Sequence, residues 1–152
     1  MISDYIHEFF KKNIFIHVGT RNGNMQPNEV MAWGINDGSD RKTLTIFIPK
    51  AAIEKTLVNL QNNSKIAVTC VEPFAHESYQ FKGNYISHRP CTAEETSYQD
   101  SFISGFNTFF QAAHMPHDFL SRLNYKQSVA VTFNVEDIFV QTPGPGAGKK
   151  IN

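Results

Sequence analysis

Lysine and polar side chains with the chemistry to hold a phosphate gather on one predicted helix and one predicted strand. The set comprises Lys50, Lys55, Ser78, Gln80 and Lys82. The first two lie at the amino-terminal end of a helix predicted over residues 50–62, where free amides and the helix dipole attract an anion. Lysines at that end oppose the dipole unless an anion joins them. The set therefore predicts an anion site, and the alternative is a group of solvated surface lysines.

The glycine-rich segment 144–150 lacks the pattern of a nucleoside triphosphate-binding loop. Such a loop has a glycine five residues before its Gly-Lys pair and a serine or threonine after the lysine. Here Pro143 and Lys150 occupy those positions. The segment therefore does not predict nucleotide hydrolysis.

Histidines and cysteines form no recognisable metal or nucleophile motif. His114 and His117 are separated by Pro116, which breaks the helical register between them. Cys70 and Cys91 lie in separate segments without Cys-x-x-Cys spacing, which fits reduced structural thiols. No Gly-x-Ser-x-Gly string is present. We therefore predict neither a metal site nor hydrolase chemistry.

The elements that must position the anion site are predicted mainly from alternating apolar residues, which are typical of half-buried strands. Residues 14–48 read as three antiparallel strands, with Asn22-Gly23 and Asp37-Gly38 as hairpin turns. The middle strand places Met31, Trp33 and Ile35 on one side. Three more strands are predicted over 65–72, 78–88 and 127–140. Six strands without regular β-α-β alternation favour an α+β fold built on an antiparallel barrel.

Two further helices are predicted after residue 90. Thr92 and Glu95 match a capping box, which starts a helix that extends to about residue 113, and a short helix follows over 116–123. The long helix carries an apolar stripe of Phe102, Phe106, Phe109, Phe110 and Ala113. Its spacing favours packing on the core or on a partner subunit over a cofactor site.

Composition limits the classes of partner. The 152 residues include 14 basic and 14 acidic side chains, so the net charge is zero, and bulk electrostatics favours neither nucleic acid nor an anionic membrane. The longest apolar runs are far shorter than a bilayer span, and the first residues lack a secretory pattern. We expect a single cytoplasmic domain over 1–152, with an extended tail over 141–152.

Several strings resemble the flavin-binding split-barrel superfamily, the group named after pyridoxamine 5'-phosphate oxidase. They are Phe15–Thr20 with the following turn and Pro27, the Asp37-Gly38 hairpin, Asn59–Val68, Tyr79–Gly83 and Val135–Phe139. The tail over 139–148 is similar to that of an uncharacterised branch of the same group. The resemblance covers nearly the whole chain. It implies a six-stranded Greek-key split barrel and a homodimer with one flavin mononucleotide (FMN) in each of two interfacial sites.

The resemblance also gives the site residues their expected roles. Lys55 falls where an arginine is typical, and Ser78 falls where the oxidase has a glutamine. Lys50 would help to neutralise the phosphate, and Gln80 and Lys82 would bind phosphate, ribityl or ring edge. Gly34, which lacks a side chain, would let a ring approach the second strand. We place Trp33 and His88 on the substrate side of this FMN-dependent oxidoreductase, which would act on a small molecule.

Departures from the family pattern favour a second hypothesis. Glu29, Met31 and Thr56 stand where relatives often carry basic residues, and the oxidase's substrate-binding strings are absent. The alternative is a non-catalytic split-barrel protein whose altered site binds another anionic ligand or haem. A haem site would use the histidines His17, His76 and His88.

Overall fold

The structure, a computed structural model, describes residues 1–116, 118 and 125–152. The helices are α1 (Asp4–Phe9), α2 (Glu54–Asn63), α3 (Ala93–Ser104) and α4 (Asn107–Ala112). The strands are β1 (Phe15–Arg21), β2 (Pro27–Ala32), β3 (Ile35–Asp37), β4 (Thr43–Pro49), β5 (Lys65–Val71), β6 (Ser78–Pro90) and β7 (Ser128–Val140). Most of the short helix predicted over 116–123, including His117, lies outside the described residues.

All strands join one antiparallel sheet in the order β2-β1-β5-β6-β7-β4-β3. The α+β class and the barrel-like antiparallel architecture are confirmed. The strand count differs, because the predicted middle strand is two strands in the structure. β2 pairs with β1 at one edge of the sheet, and β3 pairs with β4 at the other. The two outer strands are therefore neighbours in the chain.

The break between β2 and β3 falls at Trp33 and Gly34. The amide of Trp33 donates to the carbonyl of Phe47 at 2.8 Å, and the amide of Phe47 donates to the carbonyl of Gly34 at 3.1 Å. Ala32 and Ile35 both lie in the core, so the inward-facing phase shifts by one residue across the break. The predicted single alternating face through Met31, Trp33 and Ile35 is therefore wrong.

Both predicted hairpins form, but their glycines do not supply the left-handed backbone. The loops run from residue 22 to 26 and from residue 38 to 42, and the positive φ angles belong to Met25 (63°) and Arg41 (54°). A Cβ on Gly38 would collide with the Thr43 hydroxyl. In this turn the glycine provides room rather than a special dihedral angle.

The capping box at Thr92 is confirmed, and the helix it starts is shorter than predicted. The Thr92 hydroxyl accepts from the Glu95 amide, and the Glu95 carboxylate accepts from the Thr92 amide. The helix breaks at Gly105, whose carbonyl accepts a hydrogen bond from the Asn13 side chain at 2.9 Å. α3 therefore ends at Ser104, and α4 begins at Asn107 as a separate helix. The sequence analysis did not predict α1, which starts with Ser3 as its N-cap.

The aromatic stripe of α3 and α4 packs on the core, as the packing interpretation predicts. Phe102, Phe106 and Phe110 are buried, and the Phe106 ring stacks on Phe15 at a centroid distance of 4.8 Å. Ala113, at the end of the predicted stripe, is exposed. Among residues 1–116, 118 and 125–152, no helix has both the length and the apolar character needed to cross a membrane.

The tail after β7 turns back instead of continuing straight. The amide of Gly148 donates to the carbonyl of Val140 at 2.7 Å, and the amide of Ile151 donates to the carbonyl of Ile138 at 3.0 Å. The Asn152 side chain donates to the Glu136 carbonyl and accepts from the Ile138 amide. The end of the tail therefore lies along β7.

Candidate functional site

A groove of about 860 Å³ opens where the end of β4, the end of β6 and the start of β7 meet α2 and α3. We call it the basic groove, after its lining residues Lys50, His88, Arg89 and Lys126. Its apolar lining comes from Ile53, Leu57, Pro90 and Val129. The volume of the basic groove, and its lining of apolar residues with a few charged ones, are typical of small-molecule and cofactor sites.

The cations of the basic groove differ in how they are held. Arg89 donates two hydrogen bonds to the Glu95 carboxylate, at 2.6 and 2.7 Å, and Lys126 donates to Asp100 at 2.6 Å. These bonds raise the pKa values of both cations, so each is charged at neutral pH. Lys50 has no ion pair within the part of the chain that the structure describes. Lys50 is therefore the cation of this groove that is available to a ligand.

The start of α2 contributes backbone donors at the edge of the groove. Its N-cap is Ile53, which lines the groove and makes no side-chain capping bond. The first amides of a helix have no intrahelical partner, and an anion can accept from them. By contrast, Ser3 and Thr92 cap α1 and α3 with their hydroxyls.

Lys55 lies around the turn from Lys50 rather than inside the basic groove. It lines a separate depression of about 370 Å³ together with Ala51, Glu54 and Val58. Ala51 also lines a cleft of about 420 Å³ that contains Lys50. The two predicted lysines are therefore neighbours on one surface. Thr56, one of the departures named in the sequence analysis, is fully buried and accepts a hydrogen bond from Asn28 at 3.0 Å.

His88 faces the basic groove with its orientation fixed by Tyr85. The Tyr85 hydroxyl and His88 Nδ1 are 2.5 Å apart, and the two rings stack with their centroids 6.1 Å apart. Nε2 is then the ring nitrogen left for a ligand. Cys91, also in the lining, has its pKa raised to about 11 by burial, so its thiol stays protonated at neutral pH.

Of the four predicted site residues on β6, His88 lines the basic groove, whereas Ser78, Gln80 and Lys82 do not join it within one chain. Ser78 is buried. Its amide donates to the Thr142 hydroxyl, and its hydroxyl donates to the His76 carbonyl. Gln80 donates to Thr69 at 3.3 Å, and the Lys82 ammonium lies over the Phe139 ring. Ser78 and Pro90 are the two ends of β6. Measured along the strand, that length is about 40 Å, so Ser78 lies at the end of β6 opposite the basic groove.

Comparison with solved structures finds the same arrangement of elements. HupZ of Group A Streptococcus superposes with a TM-score of 0.59 at 21% identity, covering 97% of this chain and 100% of that protein. A proposed pyridoxamine 5'-phosphate oxidase from Lactobacillus delbrueckii gives a TM-score of 0.56 at 12% identity, with coverage of 91% and 93%. An FMN-binding protein from Syntrophomonas wolfei gives 0.51 at 12% identity, with coverage of 82% and 75%.

The fold is the split β-barrel of these solved structures. The resemblance drawn from the sequence is confirmed at the level of the fold. Neither a protein-family model nor a curated protein matches the sequence.

In this split barrel, the fold itself accounts for Gly34. A Cβ at this position would lie 2.6 Å from the Phe47 ring and 2.8 Å from the Tyr98 ring, and the φ angle is +145°. Two of the protein's own rings thus occupy the space that the sequence analysis left for a cofactor. Trp33, expected on the substrate side, is only 7% exposed and packs edge-on against Phe106.

The sequence analysis missed part of the split barrel's basic groove. Arg89, Cys91, Lys126 and Gln127 line it, although none was a candidate. Arg89 and Cys91 flank Pro90, where β6 ends. The proline is visible in the sequence as the end of a strand and could have drawn attention to its two neighbours. Lys126 and Gln127 precede β7, and only the pairing of Pro49 with Ser128 places them beside Lys50. No local pattern in the sequence indicates this contact.

Proposed function

We propose that this chain binds FMN in the basic groove and acts as an FMN-dependent oxidoreductase on a small-molecule substrate. One observation carries the proposal: Lys50, a cation without an ion pair among the described residues, lies at the basic groove of about 860 Å³ beside an uncapped helix start. Lys55 lies on the adjoining surface and adds a second positive charge.

The chemistry of the groove suits the two ends of FMN. Phosphate needs charge-assisted donors, which Lys50, Lys55 and the first amides of α2 supply. A flat ring system needs an apolar surface, which Ile53, Leu57 and Val129 supply. When bound, FMN supplies hydride transfer through its ring system, while the protein supplies position and electrostatics.

His88 has the geometry for the substrate side of the same groove. Tyr85 holds Nδ1, so Nε2 can donate to or accept from a substrate that lies on the ring system. Cys91 is protonated and half-buried, so it serves as lining rather than as a nucleophile.

The proposal includes a homodimer with the flavin sites at its interface. Ser78, Gln80 and Lys82 lie outside the basic groove of their own chain. In a dimer they would reach FMN from the second copy, as the resemblance implies. Solved structures with this fold include an FMN-binding protein and a proposed pyridoxamine 5'-phosphate oxidase. This likeness favours flavin as the ligand. Because fold alone does not establish function, the proposal is tested directly.

The first test is the visible absorption spectrum of the purified protein, recorded again after incubation with excess FMN and desalting. A retained flavin band at one per chain supports the proposal, and anaerobic bleaching by a nicotinamide donor supports the oxidoreductase part. A colourless protein that leaves the fluorescence of added FMN unchanged overturns it. A haem band in the purified protein would replace it with the binding-protein hypothesis.

Charge-removing variants locate the site. Lys50→Ala and Lys55→Ala should each weaken FMN binding by about tenfold or more, because a charge-assisted contact contributes about 1.5–3 kcal/mol. Lys11→Ala is the matched control, since Lys11 lies in the turn after α1 and pairs with Glu8. Equal affinities for all four proteins would refute the placement of FMN in this groove.

A further inference from the structure

Strand β6 carries a β-bulge near the end that reaches the basic groove. Tyr85 pairs with Phe133 in the β6–β7 ladder, and Ser87 pairs with the adjacent residue of β7, Thr132. Ile86 is therefore one extra residue on β6. Its side chain is 54% exposed, so core packing does not explain the extra residue. Bulges are common beside functional sites, where they redirect a side chain.

The bulge brings Tyr85 and His88 to the same face of the sheet. In a regular strand, residues three apart point to opposite faces. Here the ladder partners of Tyr85 and His88 are Phe133 and Val131, which are two residues apart on β7 and are both fully buried. Because cross-strand partners share a face, Tyr85 and His88 share one as well. The hydrogen bond between the Tyr85 hydroxyl and His88 Nδ1 therefore depends on the extra residue.

Tyr85 is held more firmly than His88. The Tyr85 ring packs against the hydrophobic core, and its amide donates to the Ser64 carbonyl at the end of α2, at 2.8 Å. His88 is exposed. In the part of the chain that the structure describes, the imidazole has one side-chain hydrogen bond, to the Tyr85 hydroxyl. The exposed histidine thus takes its orientation from the tyrosine.

The same hydrogen bond decides which ring nitrogen of His88 carries the proton. A phenol hydroxyl is a stronger donor than an imidazole N–H, and an imidazole nitrogen is the stronger acceptor, so the Tyr85 hydroxyl donates to Nδ1. In a neutral imidazole the other nitrogen, Nε2, then carries the hydrogen. His88 therefore offers an N–H group to the basic groove.

The charged side chains that line the basic groove are donors too. They are Lys50, Arg89 and Lys126, and among the described residues no aspartate or glutamate lines this groove. A ligand group that can only donate, such as an ammonium, meets no charged acceptor there. An oxygen with free lone pairs meets several donors.

We propose that the bulge at Ile86 and the hydroxyl of Tyr85 hold His88 as an Nε2–H donor, and that the substrate of the basic groove presents a carbonyl or carboxylate oxygen to it. Tyr85 is a positioning residue, because it acts through His88 and is not among the lining residues. The substrate class rests on the proposed function, which makes this groove the substrate site. The donor state of His88 does not depend on FMN.

Side-chain ¹⁵N spectra of the FMN-free, histidine-labelled protein test the donor state, at pH 8, where an ordinary histidine is neutral. We expect a protonated Nε2 and an unprotonated Nδ1 for His88. Tyr85→Phe keeps the ring but removes the hydroxyl, so it should move the Nδ1 resonance. Tyr5→Phe is the control, since it removes the hydroxyl of an exposed tyrosine on α1. A proton on Nδ1, or equal His88 spectra for Tyr85→Phe and the unaltered protein, would overturn the proposal.

Three compounds of similar shape test the substrate class in the same FMN-free protein: cyclohexanone, cyclohexanecarboxylate and cyclohexylammonium. We expect saturable shifts of the His88 nitrogens with the ketone, the carboxylate or both, and none with the ammonium. Binding of the ketone alone assigns a neutral carbonyl, and binding of the carboxylate alone assigns an anionic group. Ammonium binding as tight as that of the oxygen compounds, or no saturable binding of any of the three, contradicts the assignment.

Variants connect the two measurements. Tyr85→Phe should weaken binding of the oxygen compound by about threefold to tenfold, because a freed imidazole has to be ordered when the ligand binds. His88→Leu should cause a loss of about the same size, since it removes the hydrogen bond. His88→Gln keeps an N–H group near the position of Nε2 and should retain most of the affinity. Unchanged affinity in His88→Leu would refute the role of this residue.

The proposed function and this inference can fail separately. If FMN does not bind while an oxygen compound still binds at His88, the flavin proposal fails and the donor role of His88 stands. If FMN is retained but His88 carries its proton on Nδ1, the flavin proposal stands and this inference fails.

Discussion

Replacing Gly34 by alanine tests whether this glycine is needed for packing or for a ligand. The new Cβ would lie 2.6 Å from the Phe47 ring and 2.8 Å from the Tyr98 ring, both well inside normal contact. Tyr98 cannot easily move aside, because its hydroxyl donates to the Ile35 carbonyl at 3.1 Å. The φ angle of +145° also lies in a region that side-chain-bearing residues rarely adopt.

The two costs can be estimated separately. Overpacking a filled core costs about 1–3 kcal/mol, and backbone strain in a region nearly restricted to glycine costs about 1–3 kcal/mol. We therefore expect Gly34→Ala to lower the free energy of unfolding by about 2–6 kcal/mol, a large share of the total stability of an ordinary domain.

Urea unfolding followed by the fluorescence of Trp33, the single tryptophan, measures this loss next to the altered residue. Gly19→Ala is the matched control: it makes the same chemical change in a strand, but the nearest atom to its Cβ among the described residues outside its chain neighbours is 3.6 Å away. The control should be neutral or stabilising by up to about 1 kcal/mol. A loss below about 1 kcal/mol for Gly34→Ala, or weaker FMN binding at unchanged stability, would refute the packing explanation.

Three further predictions concern the start of α3 and the thiols. Thr92→Ala should lower the free energy of unfolding by about 1 kcal/mol in urea titrations, because the capping box loses its hydroxyl. Arg89 holds the pKa of Glu95 below its ordinary value of 4.5, so this pair stabilises the fold above that pH and ceases to do so as pH falls through the lowered pKa. Arg89→Gln should therefore flatten the acid side of the stability-pH curve, and an unchanged curve would contradict this. Iodoacetamide should modify Cys91 slowly at pH 7.5 and faster near pH 10, and leave buried Cys70 intact in the native protein, as mass spectrometry can show.

Much of the sheet could be predicted because its strands alternate cleanly between apolar and polar residues. β5, with Ile66, Val68 and Cys70 inside, is the clearest case. The break in the middle strand could not be predicted, because alternation has no signal for a phase shift. At Trp33 and Gly34 the shift depends on hydrogen bonds to Phe47, which lies on another strand.

The site was predicted in parts rather than as a whole. Lys50 and His88 line one groove, although they are distant in sequence and neither has a motif around it. Gln80 and Lys82 were grouped with Lys50 by residue type, and the length of β6 separates them in space. Residue type could indicate affinity for an anion, whereas the assignment to one groove depends on the β4–β7 and β6–β7 ladders.

The segment 27–37, which supplies both outer strands, also constrains the order of folding. Its two halves pair with β1 and β4 through short loops, so these contacts can form early at a low entropic cost. The β4–β7 ladder joins Thr43 to Asn134 and must wait for residues from the far end of the chain. We therefore expect two rapid hairpins followed by a slower step that recruits β7, with refolding rates governed by this distant pairing. Segment 27–37 is thus among the first parts of the chain to pair. Its β3 half is fixed in the sheet only when β4 pairs with β7.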